Sequence, residues 1–249
     1  MCKIFGDVYS DMLAAYSMLE LNGSSITAVD YDSKSLTTII TLSFCNSAQS
    51  GYDKSEPEVI TVFLRFERSF INMEPKVRFQ DFSGKICDTE CPTDHSISFV
   101  VKTEDNSVQR ITVTTDILYL CEKKDEFDNH DVVLAESEHY ALLREYEECY
   151  LVFKDGGRRS VSIGDFYGDP EFALFDKNEK FVVMGGCGII VYFLEEPWQF
   201  YSYNTESAQW IDISRDGDHT YFDSVRQISD NVIELTESSG KSYEYVITR

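Results

Sequence analysis

Apolar and polar residues alternate with period two along most of the chain, the pattern of strands with one face buried. Ser25 to Asp32 and Leu36 to Phe44 are β-branched and aromatic runs around Ser33-Lys34-Ser35, which predicts a hairpin. Strands are expected again at Val59 to Glu67, Lys76 to Phe82, Ser96 to Lys102 and Val108 to Thr114, the last two flanking the polar turn Glu104-Asp105-Asn106-Ser107. Connections this short leave no room for helical crossovers, so the first half reads as an antiparallel, sandwich-like structure.

The second half predicts strands at Cys149 to Lys154, Arg158 to Ile163, Phe172 to Phe175, Lys180 to Gly185, Ile189 to Leu194, Trp210 to Ile213, Thr220 to Ile228, Val232 to Thr236 and Ser242 to Thr248. Asp, Asn and Gly mark the gaps, as hairpins require. Two short helices are also expected. One is capped by Asp7 and carries Val8, Met12, Ala15 and Leu19; the other lies within Val132 to Glu148, where Leu134, Tyr140, Leu142, Leu143 and Tyr146 mix with charges. Phe172 to Leu194, strand, turn, strand, glycines, strand, looks like one blade of a β-propeller, and no other segment repeats it at a fixed period. The fold class is therefore mostly β, a β-dominated α+β chain of antiparallel sheets. The charged interval 122–131 separates a sandwich-like part, 1–125, from a short helix and β meander, 132–249.

Composition sharpens this in two ways. At 43% hydrophobic and 27% charged residues, the 249-residue chain is far from the make-up of disordered proteins. Its formal net charge is −22, spread over both parts: residues 1–130 hold 21 acids and 12 bases, and the remainder 23 and 10. Such a field repels nucleic acid and anionic lipid and speeds encounter with cationic partners. Seven scattered cysteines and a start, MCKIFGDVYSD, without an apolar h-region lead to the expectation of a reducing, cytoplasmic setting. No apolar run is long enough for a membrane-spanning helix.

Phe181 to Phe193, FVVMGGCGIIVYF, holds the densest glycines. Gly186-Cys187-Gly188 leads into a strand-forming run rather than a helix and lacks a third glycine, so no dinucleotide fingerprint is present. A tight hairpin with φ > 0 at a glycine, and a Cys187 slow to alkylate, is the expectation. Cys87, Cys91 and His95 have zinc-ligand chemistry but lack a fourth partner and the C-x2-C spacing. Asp212 to Asp223 resembles an EF-hand calcium loop, although His219 at position 8, Asp223 at position 12 and strand-like flanks depart from it. Asp165, Asp169 and Glu171 beside aromatics are the raw material of glycosidic acid–base chemistry. No cofactor and no catalytic residue is assigned.

The aromatic stretch Trp198 to Tyr203, with Trp210, suits a partner surface, since Trp and Tyr dominate binding hot spots. The candidate partner-binding set is Trp198, Tyr201, Tyr203, Trp210, Glu195, Glu196, Asp216 and Asp218. The function expected is a non-catalytic acidic protein that engages a basic protein partner, one concrete form being an inhibitor or immunity protein of a cationic toxin. The alternative is a carbohydrate-active enzyme or a sugar-binding or small-ligand-binding β module.

Overall fold

The computed structural model describes residues 8–9, 21, 23–45, 47, 54–55, 57–74, 82–121, 130–215 and 220–248. The chain divides into two compact units, Met1–Asn129 with Gly156–Arg159 and His130–Asp155 with Ser160–Arg249. Among the described residues, strands are the only regular elements longer than a turn, and all pair antiparallel. No helix among them is long and apolar enough to cross a membrane.

The first unit contains β1 (Val8–Tyr9), β2 (Ser25–Asp32), β3 (Thr37–Cys45), β4 (Val59–Glu67), β5 (Phe70–Glu74), β6 (Gly84–Thr93), β7 (Ser96–Lys102), β8 (Val108–Thr114) and β9 (Ile117–Cys121). They form one sheet in the order β1-β9-β4-β3-β2-β6-β7-β8-β5. Only Ser25↔Lys85 and Ile26↔Gly84 join β2 to β6, and β4 leads into β5 at the far edge, so the sheet doubles over on itself. Its core lies inside the fold: Ile40, Leu42, Val62, Leu64 and Phe66 from one half, and Ile97, Phe99, Val101, Ile111 and Val113 from the other. The chain's alternation is what supplies this single buried face. At the corner, Ser69 donates its backbone N–H and its hydroxyl to the Leu36 carbonyl at 2.7 and 3.1 Å, and Thr115 Oγ1 donates to the Glu67 carbonyl at 2.6 Å. The sandwich-like character expected of this half is thus present; the strand expected at Lys76 to Phe82 lies almost wholly outside the described residues.

The second unit is built of three meanders. The first is β10 (Asp131–Glu136), β11 (Tyr140–Glu145), β12 (Glu148–Phe153) and β13 (Val161–Asp165). The second is β14 (Phe172–Phe175), β15 (Phe181–Gly186), β16 (Gly188–Phe193) and β17 (Trp210–Ile213), and the third is β18 (Phe222–Ser229), β19 (Val232–Glu237) and β20 (Ser242–Val246). The first strands adjoin, β10 against β14 and β14 against β18. Neighbouring blades of a propeller also meet in this way, with four strands to a blade, whereas the third sheet here has three. The blade-like order seen once in the sequence thus recurs in space without recurring in residues.

The middle sheet explains the apolar run. Val182, Met184, Ile190 and Tyr192 pack toward the first sheet with Leu142, Leu151 and Ile163. Their chain neighbours Phe181, Val183, Ile189, Val191 and Phe193 pack toward the third with Phe222, Ile233 and Leu235. A strand covered on both faces loses its polar alternate positions and reads as continuous hydrophobicity.

One expectation is corrected. Val132 to Glu148 is not a helix but β10, a turn and β11. Leu142 and Leu143 are consecutive and both fully buried, and the β10–β11 register slips between Val133 and Ala135. A bulge and a strand buried on both faces together erase the period-two signal. Of the helix expected near the N-terminus, Val8 and Tyr9 are strand and pair with Tyr119 and Leu118; the rest lies outside the described residues.

Candidate functional site

Cys187 is the tip of the β15–β16 hairpin, between the paired Gly186 and Gly188, and bridges to Tyr221 at the start of the third sheet. Gly188 has φ +81°, and a Cβ there would lie 2.6 Å from Arg215 Cγ. Gly185 has ordinary backbone angles and is glycine for another reason: a Cβ would stand 2.2 Å from Phe172 Cζ. The expected positive φ in the hairpin is therefore found, at Gly188.

Beside this tip lies a cavity of about 270 Å³ lined by Asp165, Phe166, Tyr167, Cys187, Tyr203, Ser214 and Arg215. Its framework is Arg215, whose side chain is buried. Nη1 donates to the Cys187 carbonyl at 3.3 Å, and Nη2 donates to the Asp165 carbonyl. One guanidinium thus ties the end of the first sheet to the hairpin tip of the second. Its Nε lies 3.5 Å from Asp212 Oδ1, an ion pair too long for a well-formed hydrogen bond. The guanidinium carbon sits 4.7 Å from the Phe166 ring centre, 5.4 Å from Tyr203 and 5.8 Å from Tyr201, within cation–π range. Tyr203 Oη donates to the Arg215 carbonyl at 3.0 Å, and Tyr201 Oη donates to Asp212 Oδ1 at 2.9 Å. Burial raises the Tyr201 phenol above its ordinary value, so it stays a donor.

Two of the lining rings are exposed, Tyr167 at 71% and Tyr203 at 45%, and Tyr221, bridged to Cys187, is 50% exposed. The Cys187 sulfur beside Tyr221 raises that phenol too. Cys187 itself is 9% exposed, a thiol under the surface that borders the cavity.

A second cavity, about 580 Å³, lies at the opposite end of the same middle sheet, lined by residues that include Glu179, Lys180, Phe181, Phe193, Glu195, Asp230 and Ile247. Here two carboxylates are held in ion pairs. Glu179 Oε2 lies 2.6 Å from His139 Nδ1, and Asp230 Oδ1 lies 2.6 Å from Lys177 Nζ. Burial works against the Glu179 charge, yet hydrogen bonds from Ser137 and from the His139 backbone and ring prevail and hold its pKa at about 2. Buried Asp176 accepts from the Asn178 and Lys180 amides, both at 3.1 Å, and from Gln227 Nε2 at 2.6 Å, which joins the second sheet to the third.

The described members of the expected partner set lie in several places. Glu195 and Glu196 are exposed, and Glu195 belongs to the far cavity, whereas Tyr203 belongs to the cavity at Cys187. Trp210 and Tyr201 are core residues, 6% and 9% exposed, with ring centres 5.3 Å apart. Trp198 is half-buried, edge-on to Phe153 at 5.0 Å and Tyr140 at 6.0 Å. Tyr192 explains why this stretch packs inward: its hydroxyl donates to the Gln199 carbonyl at 2.6 Å and accepts the Gln199 amide at 3.2 Å. Burial pushes the Tyr192 phenol up to about 12. Asp216 and Asp218 lie outside the described residues, as does the middle of the calcium-like loop.

The zinc-like cluster does not converge. His95 is buried against Asp94 and the Gly156 carbonyl, while Cys87 is exposed on β6, and no group of three ligating side chains forms among the described residues. Of the three carboxylates suited to glycosidic chemistry, Asp165 alone lines the cavity, and Asp169 pairs with Arg144 at 3.3 Å.

No protein-family model and no curated protein matches this chain. Among solved structures, virginiamycin B lyase from Staphylococcus aureus aligns with 98% of this chain and 74% of its own, at 11% identity and a TM-score of 0.29. At that score the likeness carries no argument about fold or chemistry.

In the residues, Ser214 and Arg215 stand only as members of the calcium-like loop, and the Asp165 stretch, the glycine hairpin, the aromatic run and that loop read as four separate candidates. The fold brings one part of each to the same cavity.

Proposed function

We propose that this is a non-catalytic acidic binding protein of the cytoplasm that engages a basic protein partner, one form being an inhibitor or immunity protein of a cationic toxin. The observation that carries the reading is the pairing of the −22 charge with the exposed Tyr167 and Tyr203 of the cavity at Cys187. Tyrosines supply contact area at low entropic cost and anchor interfaces, and the negative field steers a cationic partner toward them. The exposed carboxylates Asp165, Glu195 and Glu196 add local negative charge at both ends of the middle sheet.

Calorimetry against a panel of basic proteins at about 50 mM and about 300 mM salt tests this, because screening over a Debye length of about 10 Å or less weakens long-range attraction. The expected result is binding that tightens as salt falls. Absence of salt-sensitive binding to every basic protein in the panel rejects the proposal.

A further inference from the structure

We infer that the cavity at the Cys187 hairpin receives a single arginine side chain from the basic partner. This rests on the partner reading above and narrows it to one contact. Three features of the cavity lead there. Its volume, about 270 Å³, is just below the range of about 300–1,000 Å³ typical of pockets that enclose whole small molecules, and suits one long side chain. Its lining includes three aromatic residues, Phe166, Tyr167 and Tyr203, and the exposed Asp165. Its own cation is held inside the fold: Arg215 is buried, lies 3.5 Å from Asp212 Oδ1 and donates from Nη1 and Nη2 to two carbonyls. An incoming anion meets a strongly negative protein and the exposed Asp165 carboxylate at the same cavity.

Arginine is preferred to lysine for a reason the fold displays internally. A guanidinium is planar and weakly hydrated, so it stacks on rings at a smaller desolvation cost than an ammonium. Arg215 does this from inside, over Phe166 and Tyr203. The exposed rings Tyr167 and Tyr203 among the lining residues offer a second guanidinium its stacking partners, and the Asp165 carboxylate supplies its counter-charge.

The test uses two capped peptides of equal charge, four Gly-Arg repeats and four Gly-Lys repeats, titrated into the full-length protein at low salt. Wild type is expected to bind the arginine peptide more tightly. Tyr167→Ala should weaken that binding between about threefold and tenfold, the scale of a partly exposed cation–π contact, and abolish the preference over lysine. Asp165→Asn should weaken both peptides. Tyr167 is exposed, so its truncation leaves the fold intact, checked by an unchanged melting curve, and Phe200→Ala, an exposed ring outside the cavity lining, is the control expected to bind as wild type. Equal binding of both peptides with no effect of Tyr167→Ala overturns the cavity assignment and leaves the acidic partner surface standing. Binding of neither peptide overturns both.

Discussion

The two ends of the middle sheet of the second unit differ in how they hold charge. At the Cys187 end one buried arginine is shared among backbone carbonyls, an aspartate and aromatic rings, and the glycines leave no spare volume. At the other end the cavity is twice as large, and its charges are settled in side-chain pairs such as His139–Glu179 and Lys177–Asp230. The smaller cavity therefore has the more rigid frame and the exposed aromatics, and the larger one has charges of which Glu179 and Asp230 are held in pairs. Cavity size and readiness to bind are separate properties here, because a pre-organised frame lowers the ordering cost that binding must overcome.

That contrast predicts unequal tolerance. Gly188→Ala should be the most damaging change: it places a side chain in the left-handed region and against Arg215 Cγ, with a loss of about 2–4 kcal/mol from backbone strain and overpacking together, read as a shifted urea midpoint. Arg215→Met should follow, at about 2–3 kcal/mol, since it leaves the Cys187 and Asp165 carbonyls without their charged donor. A melting temperature unchanged by either substitution would show that the glycine end is not the rigid one.

Thiol chemistry sharpens the same comparison. Among the described cysteines, Cys87 is exposed and should react first with a bulky maleimide; Cys187, under the surface beside the cavity, should react much more slowly. Cys149, fully buried with its thiol pushed up by burial, should wait for unfolding. Mass spectrometry of peptides after timed labelling gives the order, and early labelling of Cys187 would mean that the hairpin opens.

At the far end the expected effects are smaller and depend on pH. The His139 pKa is raised above 6.5 by its hydrogen bond to Glu179, so its contribution is complete below 6.5 and fades as pH rises through the raised value. The Glu179 pKa is lowered from 4.5 to about 2, so its contribution is complete above 4.5 and fades as pH falls toward 2. The difference in melting temperature between wild type and His139→Gln should therefore be largest between pH 4.5 and 6.5. Lys177→Ala removes an exposed pair and should leave the melting temperature unchanged.

Much of the architecture was legible in the residues. Ile40, Leu42 and Phe44 on one strand and Val62, Leu64 and Phe66 on its neighbour alternate with less buried positions and mark a half-buried sheet. Legibility failed where strands are covered on both sides or shifted in phase, as at Leu142 and Leu143 beside the β10–β11 bulge. The candidate site was legible only in fragments. Asp165, Cys187, Tyr203 and Arg215 share a cavity through the stacking of one meander on the next, and no local pattern records which turn meets which. The glycines did carry a trace of it, since Gly188 gives way to Arg215, but a missing side chain does not name the residue that fills its space.

The double coverage of β15 and β16 has a consequence for measurement. Their amides are in ladders with β14 and β17 and under apolar layers on both sides, so they should be the last in this unit to exchange with deuterium, at the full cost of unfolding it. The middle sheet is thus a built-in internal clock. A partner that seats at the hairpin tip would slow exchange around Tyr167 and Tyr203 while that clock keeps its rate, and one that merely stabilised the whole unit would slow both.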